Sequence, residues 1–279
     1  MPDEKKLQQL RDQIDTIDMQ MLALLKQRAD IVAQVAGVKG KLPIYIRPGR
    51  EAKMMRVLLS KDTGRLPKGL IHRLWREMIG AFTLQEGGLK VAVAATKEEP
   101  GLWDLTRDHF GSFTPMQAYT SATAALREVL SGKAQVAALS FPKAEGEVWW
   151  RQLLEGENLP KIFYRFPFDA QRGNARPGGD GIVVGNLEPE ETGQDVTVLG
   201  VEWKSDPPKN AIGRTLRALP LPISAHLVIE AKGALPCSWI ELKGFAAADH
   251  SGLKNWLAAN KDIILRGRIL GSYPVPLSV

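Results

Sequence analysis

Apolar residues recur through the first forty positions at alternating spacings of three and four: Leu7, Leu10, Ile14, Ile17, Met21, Leu24, Ile31, Val35 and Val38. That spacing predicts one long helix with a single apolar stripe. Gly40 and Pro43 close it, Pro48 opens a second helix running to Leu59, and Pro67 opens a third through Leu70, Leu74, Met78 and Phe82 to Glu86. Gly87 and Gly88 end the third helix and mark a domain boundary. From Leu89 short apolar strands at 89–94, 117–119 and 135–140 alternate with helices at 101–110 and 121–130, a βαβαβ order with a small parallel sheet. The C-terminal stretch reads as a strand at 195–203, a helix at 210–219, strands at 223–231 and 237–245, a helix at 251–260 and a strand at 263–273. This βαββαβ order is ferredoxin-like. The expected fold is therefore multidomain α and α/β, with units at 1–88, 89–193 and 194–279.

One residue breaks the first stripe. Between Leu24 and Ile31 the register demands an apolar side chain, and the chain has Arg28. A guanidinium on an apolar seam costs several kcal/mol unless an anion or hydrogen-bond partner meets it. A polar residue that only fixes helix register is the other reading of the same pattern. Lys39 lies eleven residues on, roughly 16 Å along the axis and almost on the same face, so the two cations are placed to close on one small anion. Arg11 is different: it is roughly 25 Å from Arg28 and about 100° round the helix. It joins the same site only from an antiparallel partner helix, which implies a dimer.

Composition narrows the function classes. The 279 residues carry a net charge of +6, and residues 1–86 hold 16 Lys and Arg against 10 Asp and Glu, which accounts for all of it. That bias suits an anionic substrate. No basic stripe interleaved with aromatics points to nucleic acid, and no apolar run reaches the eighteen or so residues of a membrane span. Cys237 is the single cysteine, so an intrachain disulfide framework is excluded, and with no signal-peptide core at the N-terminus the expected location is the cytoplasm.

The run LRDQIDTIDMQMLALLKQRADIVAQVAGVK, followed by YIRPGREA and IHRLWREMIGAFTLQE, resembles the all-helical chorismate mutase domain at the front of bifunctional chorismate mutase/prephenate dehydratases. The resemblance covers about the first 86 residues without gaps. It implies an intertwined helical homodimer that binds the small molecule chorismate and converts it to prephenate with no cofactor and no metal. It also implies residue roles: Arg11 from the partner chain, Arg28 and Arg50 on substrate carboxylates, Lys39 on a carboxylate and the ether oxygen, and Glu51 on the ring hydroxyl. Glu86 falls where the family places a Gln or Glu against that ether oxygen. The reaction is a unimolecular pericyclic shift, so orientation and electrostatics are the only levers a protein has on it. Negative charge grows on the ether oxygen as its bond breaks, and a cation such as Lys39 then binds the transition state better than the ground state. Without the resemblance, Glu51 and Glu86 read as ordinary helix carboxylates.

The rest of the chain resembles the same proteins with departures. Residues 89–193 resemble a shortened first lobe of a prephenate dehydratase. Gly179, Asp180 and Gly181 stand where the family has Thr-Arg-Phe, whose Thr serves dehydration, so dehydratase activity is expected to be lost. The loop QRGNARPGGDG has anion-cradle composition without P-loop spacing and reads as a surface loop. Residues 194–279 resemble an ACT regulatory domain, with ILGSYP matching. Asn210, Ala211 and Ile212, and Glu230, Ala231, Lys232 and Gly233, replace the phenylalanine-binding signatures, which argues against phenylalanine control. Trp203, Trp239 and Trp256 read as core or interface residues, His226 and His250 as structural, and His72 as solvated. Three alternatives to the mutase reading stay open: an isochorismate-pyruvate lyase of the same helical fold, a residual prephenate dehydratase with a substitute for the lost Thr, and a noncatalytic regulatory partner of an aromatic-pathway enzyme. Because every candidate group lies before residue 88, that fragment alone is expected to form an active dimer.

Overall fold

The computed structural model describes the chain except for residues 1, 2, 41, 98, 170–175, 177, 178, 206, 207, 209, 230–233, 278 and 279, and except for the side chain of Lys39. Most of the QRGNARPGGDG loop and all of Glu230 to Gly233 thus lie outside the described residues.

Three helices come first: α1 (Glu4–Lys39), α2 (Pro48–Ser60) and α3 (Lys68–Gly87). Asp3 caps α1 by accepting from the Lys6 N–H at 3.1 Å, and Gly40, at φ 69°, ends it. Pro48 fills the first position of α2, where its missing N–H costs nothing. The apolar stripe of α1 is not buried: Ile14, Leu24 and Val38 are 56%, 65% and 90% exposed. In α2 the opposite holds, with Ala52, Met55 and Leu59 spaced by three and four and buried in the main core. The inward face of α3 is polar or small (His72, Arg76, Gly80, Thr83), while its predicted core residues Leu70 and Leu74 are exposed.

Next come β1 (Val91–Ala94), α4 (Gly101–Phe110), β2 (Met116–Tyr119), α5 (Ala122–Leu130), β3 (Val136–Ser140), β4 (Lys161–Phe166) and β5 (Gly181–Gly185). The final elements are β6 (Asp195–Trp203), α6 (Ala211–Arg217), β7 (Ile223–Ile229), β8 (Cys237–Lys243), α7 (Ser251–Ala259) and β9 (Ile264–Pro274). A short 3-10 turn, Trp149–Leu153, precedes β4. The βαβαβ and βαββαβ orders are those the sequence predicts; β4, β5 and the 3-10 turn are additions to them. All the strands form one sheet in the order β2-β1-β3-β5-β4-β9-β6-β8-β7. Its parallel β2-β1-β3 end and its antiparallel β9-β6-β8-β7 end meet where β4 runs parallel to β9 at Ile162 and Gly271. Gly271 makes that joint possible, because a Cβ there would lie 2.2 Å from the Ile162 carbonyl oxygen.

One core runs from α2 through the parallel half of the sheet to Trp239 and Tyr273, and a second, around Trp203, Leu253 and Trp256, sits beneath α6 and α7. The three tryptophans are buried as expected. His226 meets Ser238 at 3.0 Å, and His250 caps α7 by accepting from the Leu253 N–H. His72 departs from expectation: it is buried and pairs with Asp169 at 2.9 Å, because α3 turns this face toward the sheet. Among the described residues no helix is long and apolar enough to cross a membrane.

Candidate active site

The C-terminal half of α1, the first turn of α2 and the last turns of α3 enclose a cavity of about 640 Å³. Leu24, Ile31, Val32, Val35, Met54, Ile79 and Phe82 form its apolar walls, and Arg28, Arg47, Arg50, Glu51 and Glu86 its charged lining. Such a site, apolar with a few convergent charges, suits a small ligand that carries both an apolar part and charge.

Arg28 reaches in from α1 with its guanidinium over the Phe82 ring, 4.6 Å from the centroid. Burial, and then the Arg50 charge beside it, hold this guanidinium below the usual arginine range, while Glu86 acts the other way. Its Nη1 is buried with no hydrogen-bond partner among the described residues. A desolvated donor facing a second cation is an unmet demand for an anion. Arg50, at the first turn of α2, is exposed on its side chain, and its N–H donates to Glu190 at 3.3 Å. Glu190 also accepts from Arg47 Nε at 2.6 Å, and it packs so closely on Gly49 that a Cβ there would lie 2.5 Å from its own Cβ.

Glu51 is the most heavily bonded group of the site. Its Oε2 accepts from Arg76 Nη2 at 2.9 Å and from the Tyr164 hydroxyl at 2.8 Å, and its Oε1 accepts the Arg47 N–H at 3.2 Å. Arg76 is 1% exposed, and its Nη1 is 3.1 Å from His109 Nε2. Burial works to lower the Arg76 ionisation range, but Glu51 and Tyr164 outweigh it and the net shift is upward. Burial, reinforced by Arg76 and His72, holds His109 well below the ordinary histidine range, so its neutral ring accepts from Arg76. Burial and the Glu51 charge push the Tyr164 phenol well above its ordinary range, so it stays a donor.

Of the residues singled out from sequence, Arg28, Arg50, Glu51 and Glu86 line this one cavity. Arg11 does not: it sits on the exposed N-terminal half of α1. Lys39 ends α1, and its side chain lies outside the described residues. Sequence reasoning missed Arg47, Arg76, His109 and Tyr164. The four-residue spacing of His72, Arg76 and Gly80 was the available signal for Arg76, a polar stripe opposite the apolar one.

Residues 10–87 match the family model Chorismate mutase type II, so the N-terminal helical region is a domain of that type. The bifunctional chorismate mutase/prephenate dehydratase of Pseudomonas aeruginosa is 33% identical over 141 residues, 47% of this chain and 38% of that protein. The protein of the same description from Aquifex aeolicus is 33% identical over 99 residues, 33% of this chain and 27% of that protein. The chain thus spans well under half the length of these relatives. Among solved structures, prephenate dehydratase from Arthrobacter aurescens in complex with L-Phe superposes with a TM-score of 0.47 at 16% identity, over 67% of this chain and 90% of that one. The chain therefore joins a chorismate mutase type II domain to a mixed α/β body and is related to the bifunctional mutase/dehydratase proteins.

Proposed function

We propose that the cavity binds chorismate and rearranges it to prephenate, without a cofactor, in a homodimer built on α1. The observation that carries this reading is Arg28, whose buried Nη1 has no partner among the described residues and which shares the cavity with Arg50. The two guanidiniums hold the carboxylates of the substrate, the apolar walls fold it, and Glu51 takes the ring hydroxyl. Lys39 and Glu86 serve the ether oxygen. A carboxyl group facing that oxygen helps only as the protonated acid, which donates a hydrogen bond to growing negative charge.

The exposed stripes of α1 and α3 support the dimer, since contiguous apolar surface of this extent is rarely left in water. Antiparallel pairing that brings the Arg11 of one chain to the Arg28 of the other centres the twofold near Met19, close to the middle of α1. Loss of dehydratase activity is supported by packing. Gly179 has φ 92°, and a Cβ there would lie 2.1 Å from the Leu102 backbone N, so that position does not admit a hydroxyl-bearing residue. At the C-terminal edge of the parallel strands, Glu147 accepts from the Ala122 and Thr123 N–H groups at 2.8 and 2.9 Å. The chain's own carboxylate thus fills the helix N-terminus where a ligand anion would bind.

The deciding experiment follows chorismate consumption by the full chain and identifies the product. Prephenate alone is expected, with no phenylpyruvate above the rate in buffer. Pyruvate would assign the lyase reaction, phenylpyruvate would restore the dehydratase, and unchanged chorismate would leave a regulatory role.

A further inference from the structure

We infer that Tyr164, on β4 of the α/β body, is a positioning residue for the mutase cavity: with Arg76 it clamps one oxygen of Glu51 and leaves the other for the substrate's ring hydroxyl. The inference rests on the mutase reading above and gives the α/β body a part in that reaction. Glu51 Oε2 already holds two donors, Arg76 Nη2 and the Tyr164 hydroxyl, at 2.9 and 2.8 Å. Oε1 holds one, the Arg47 N–H at 3.2 Å, and so keeps acceptor capacity for a ligand in the cavity that Glu51 lines. A carboxylate with one free torsion would otherwise turn either oxygen inward or fold back on Arg76.

Both clamps are themselves fixed. Arg76 is held on its far side by His109, from α4, and the His109 ring stacks edge-on to Tyr164 at 4.3 Å between centroids. Tyr164 in turn packs on Phe163 and Phe168. The chain that sets the carboxylate therefore runs from the sheet, through rings and a buried guanidinium, to a residue on the second helix. Each member is pinned by atoms from outside the helical domain.

The test compares wild type, Tyr164→Phe and Phe168→Leu as full chains, on chorismate and on an analogue lacking the ring hydroxyl. A hydrogen bond to a charged group is at stake, so Tyr164→Phe should lower kcat/KM for chorismate on the order of 10-fold. The loss should fall mainly on KM, because the ring hydroxyl is bound alike in ground and transition states. On the analogue Tyr164→Phe should match wild type within about twofold, there being no hydroxyl for Glu51 to receive. Phe168→Leu loosens the packing of Tyr164 without removing its hydroxyl, and should show a smaller loss of the same kind, on chorismate and not on the analogue. If Tyr164→Phe does not fold, Arg76→Lys, which keeps the charge and loses the fork, should show the same selective loss. Equal losses on the two substrates, or none on chorismate, overturn the inference alone; a wild-type chain inert toward chorismate overturns the functional reading and the inference with it.

Discussion

The first two helices carry apolar stripes of the same kind and use them in opposite ways. The stripe of α1 faces water along most of its length, with Leu24 65% exposed, whereas Ala52, Met55 and Leu59 of α2 are part of the core that contains the sheet. The third helix does both: Leu70 and Leu74 point outward, and His72, Arg76, Gly80 and Thr83 point at the α/β body. Arg56 adds a polar seam, donating to Thr192 Oγ1 at 2.8 Å and to the Gln194 carbonyl at 3.0 Å. The helical domain is thus split: α1 meets the rest of the chain through its C-terminal half, where Arg28 lies over Phe82 of α3, and the other two helices are fastened to the α/β body. A domain boundary in sequence is not a boundary in energy.

The largest effect expected from this difference is on the fragment of residues 1–88, and it reverses the sequence-based expectation that the fragment is active. Cut there, Met55 and Leu59 lose their core, each worth about 2–5 kcal/mol by the cost of large-to-small truncation. Arg76 is left beside Glu51 without His109, and Glu51 without Tyr164. Loosened in this way, α2 and α3 no longer hold the substrate-orienting groups of the cavity together, and a misplacement of about an ångström there costs on the order of 100-fold in rate. We expect the fragment to retain less than about one per cent of full-chain activity and to show weakened helical circular dichroism. A fragment as active as the whole chain would mean that α2 and α3 stand as independently as α1.

The exposed half of the comparison is broken or sharpened by subunit mixing. Arg11→Ala and Arg28→Ala should each be nearly inactive. Mixed with exchange verified, half the dimers are heterodimers in which one of two sites keeps both arginines, so activity should return to about a quarter of wild type. No rescue would show that α1 finds its partner elsewhere.

How far these features were legible depends on whether the signal was local. The three helices and the C-terminal βαββαβ elements were readable to within a residue or two, because Pro48, Pro67, Gly40 and Gly88 punctuate them and the strands are apolar. Strand β4 was not, since Ile162, Phe163 and Tyr164 are consecutive and all buried, which leaves no alternation to read. Spacing alone proposed Arg28 and Lys39, and the family resemblance supplied Arg50, Glu51 and Glu86. Tyr164 and His109 lay beyond both, because they reach Glu51 and Arg76 across long stretches of sequence. The outward turn of Leu70 and Leu74 escaped for another reason: the pattern tells that a stripe is buried against something, and not whether that something is the same chain.

A smaller effect is expected at Glu86, where α3 meets the cavity. Glu86→Gln is a permanent donor of the same shape, so it should turn over several-fold faster than wild type. Turnover of the two proteins on chorismate is the measurement. Equal turnover would mean that Glu86 does not face the ether oxygen.

The smallest effect concerns the fastening of α3 itself. His109 is held well below the ordinary histidine range by burial and then by Arg76, so in the folded chain it stays neutral at a pH where the unfolded chain, titrating near 6.5, takes up a proton. The stability this contributes is complete above that value and is lost as pH falls below it, at up to about 1.4 kcal/mol per pH unit. His109→Gln keeps an acceptor for Arg76 Nη1 and cannot be protonated. It should therefore begin less stable, having lost the ring contacts with Tyr164 and Phe110, yet fall less steeply between pH 7.5 and 5.5. Every other titratable group is common to the two proteins, so the difference between the two unfolding curves isolates this group. Hydrogen exchange at pH 5.5 gives the location: α2 and α3 should lose protection in wild type relative to the variant, while α1, which among the described residues supplies no bonding or ring partner to His109, should be unchanged. If α1 loosens in step with α3, the three helices respond as one unit and are not divided in energy.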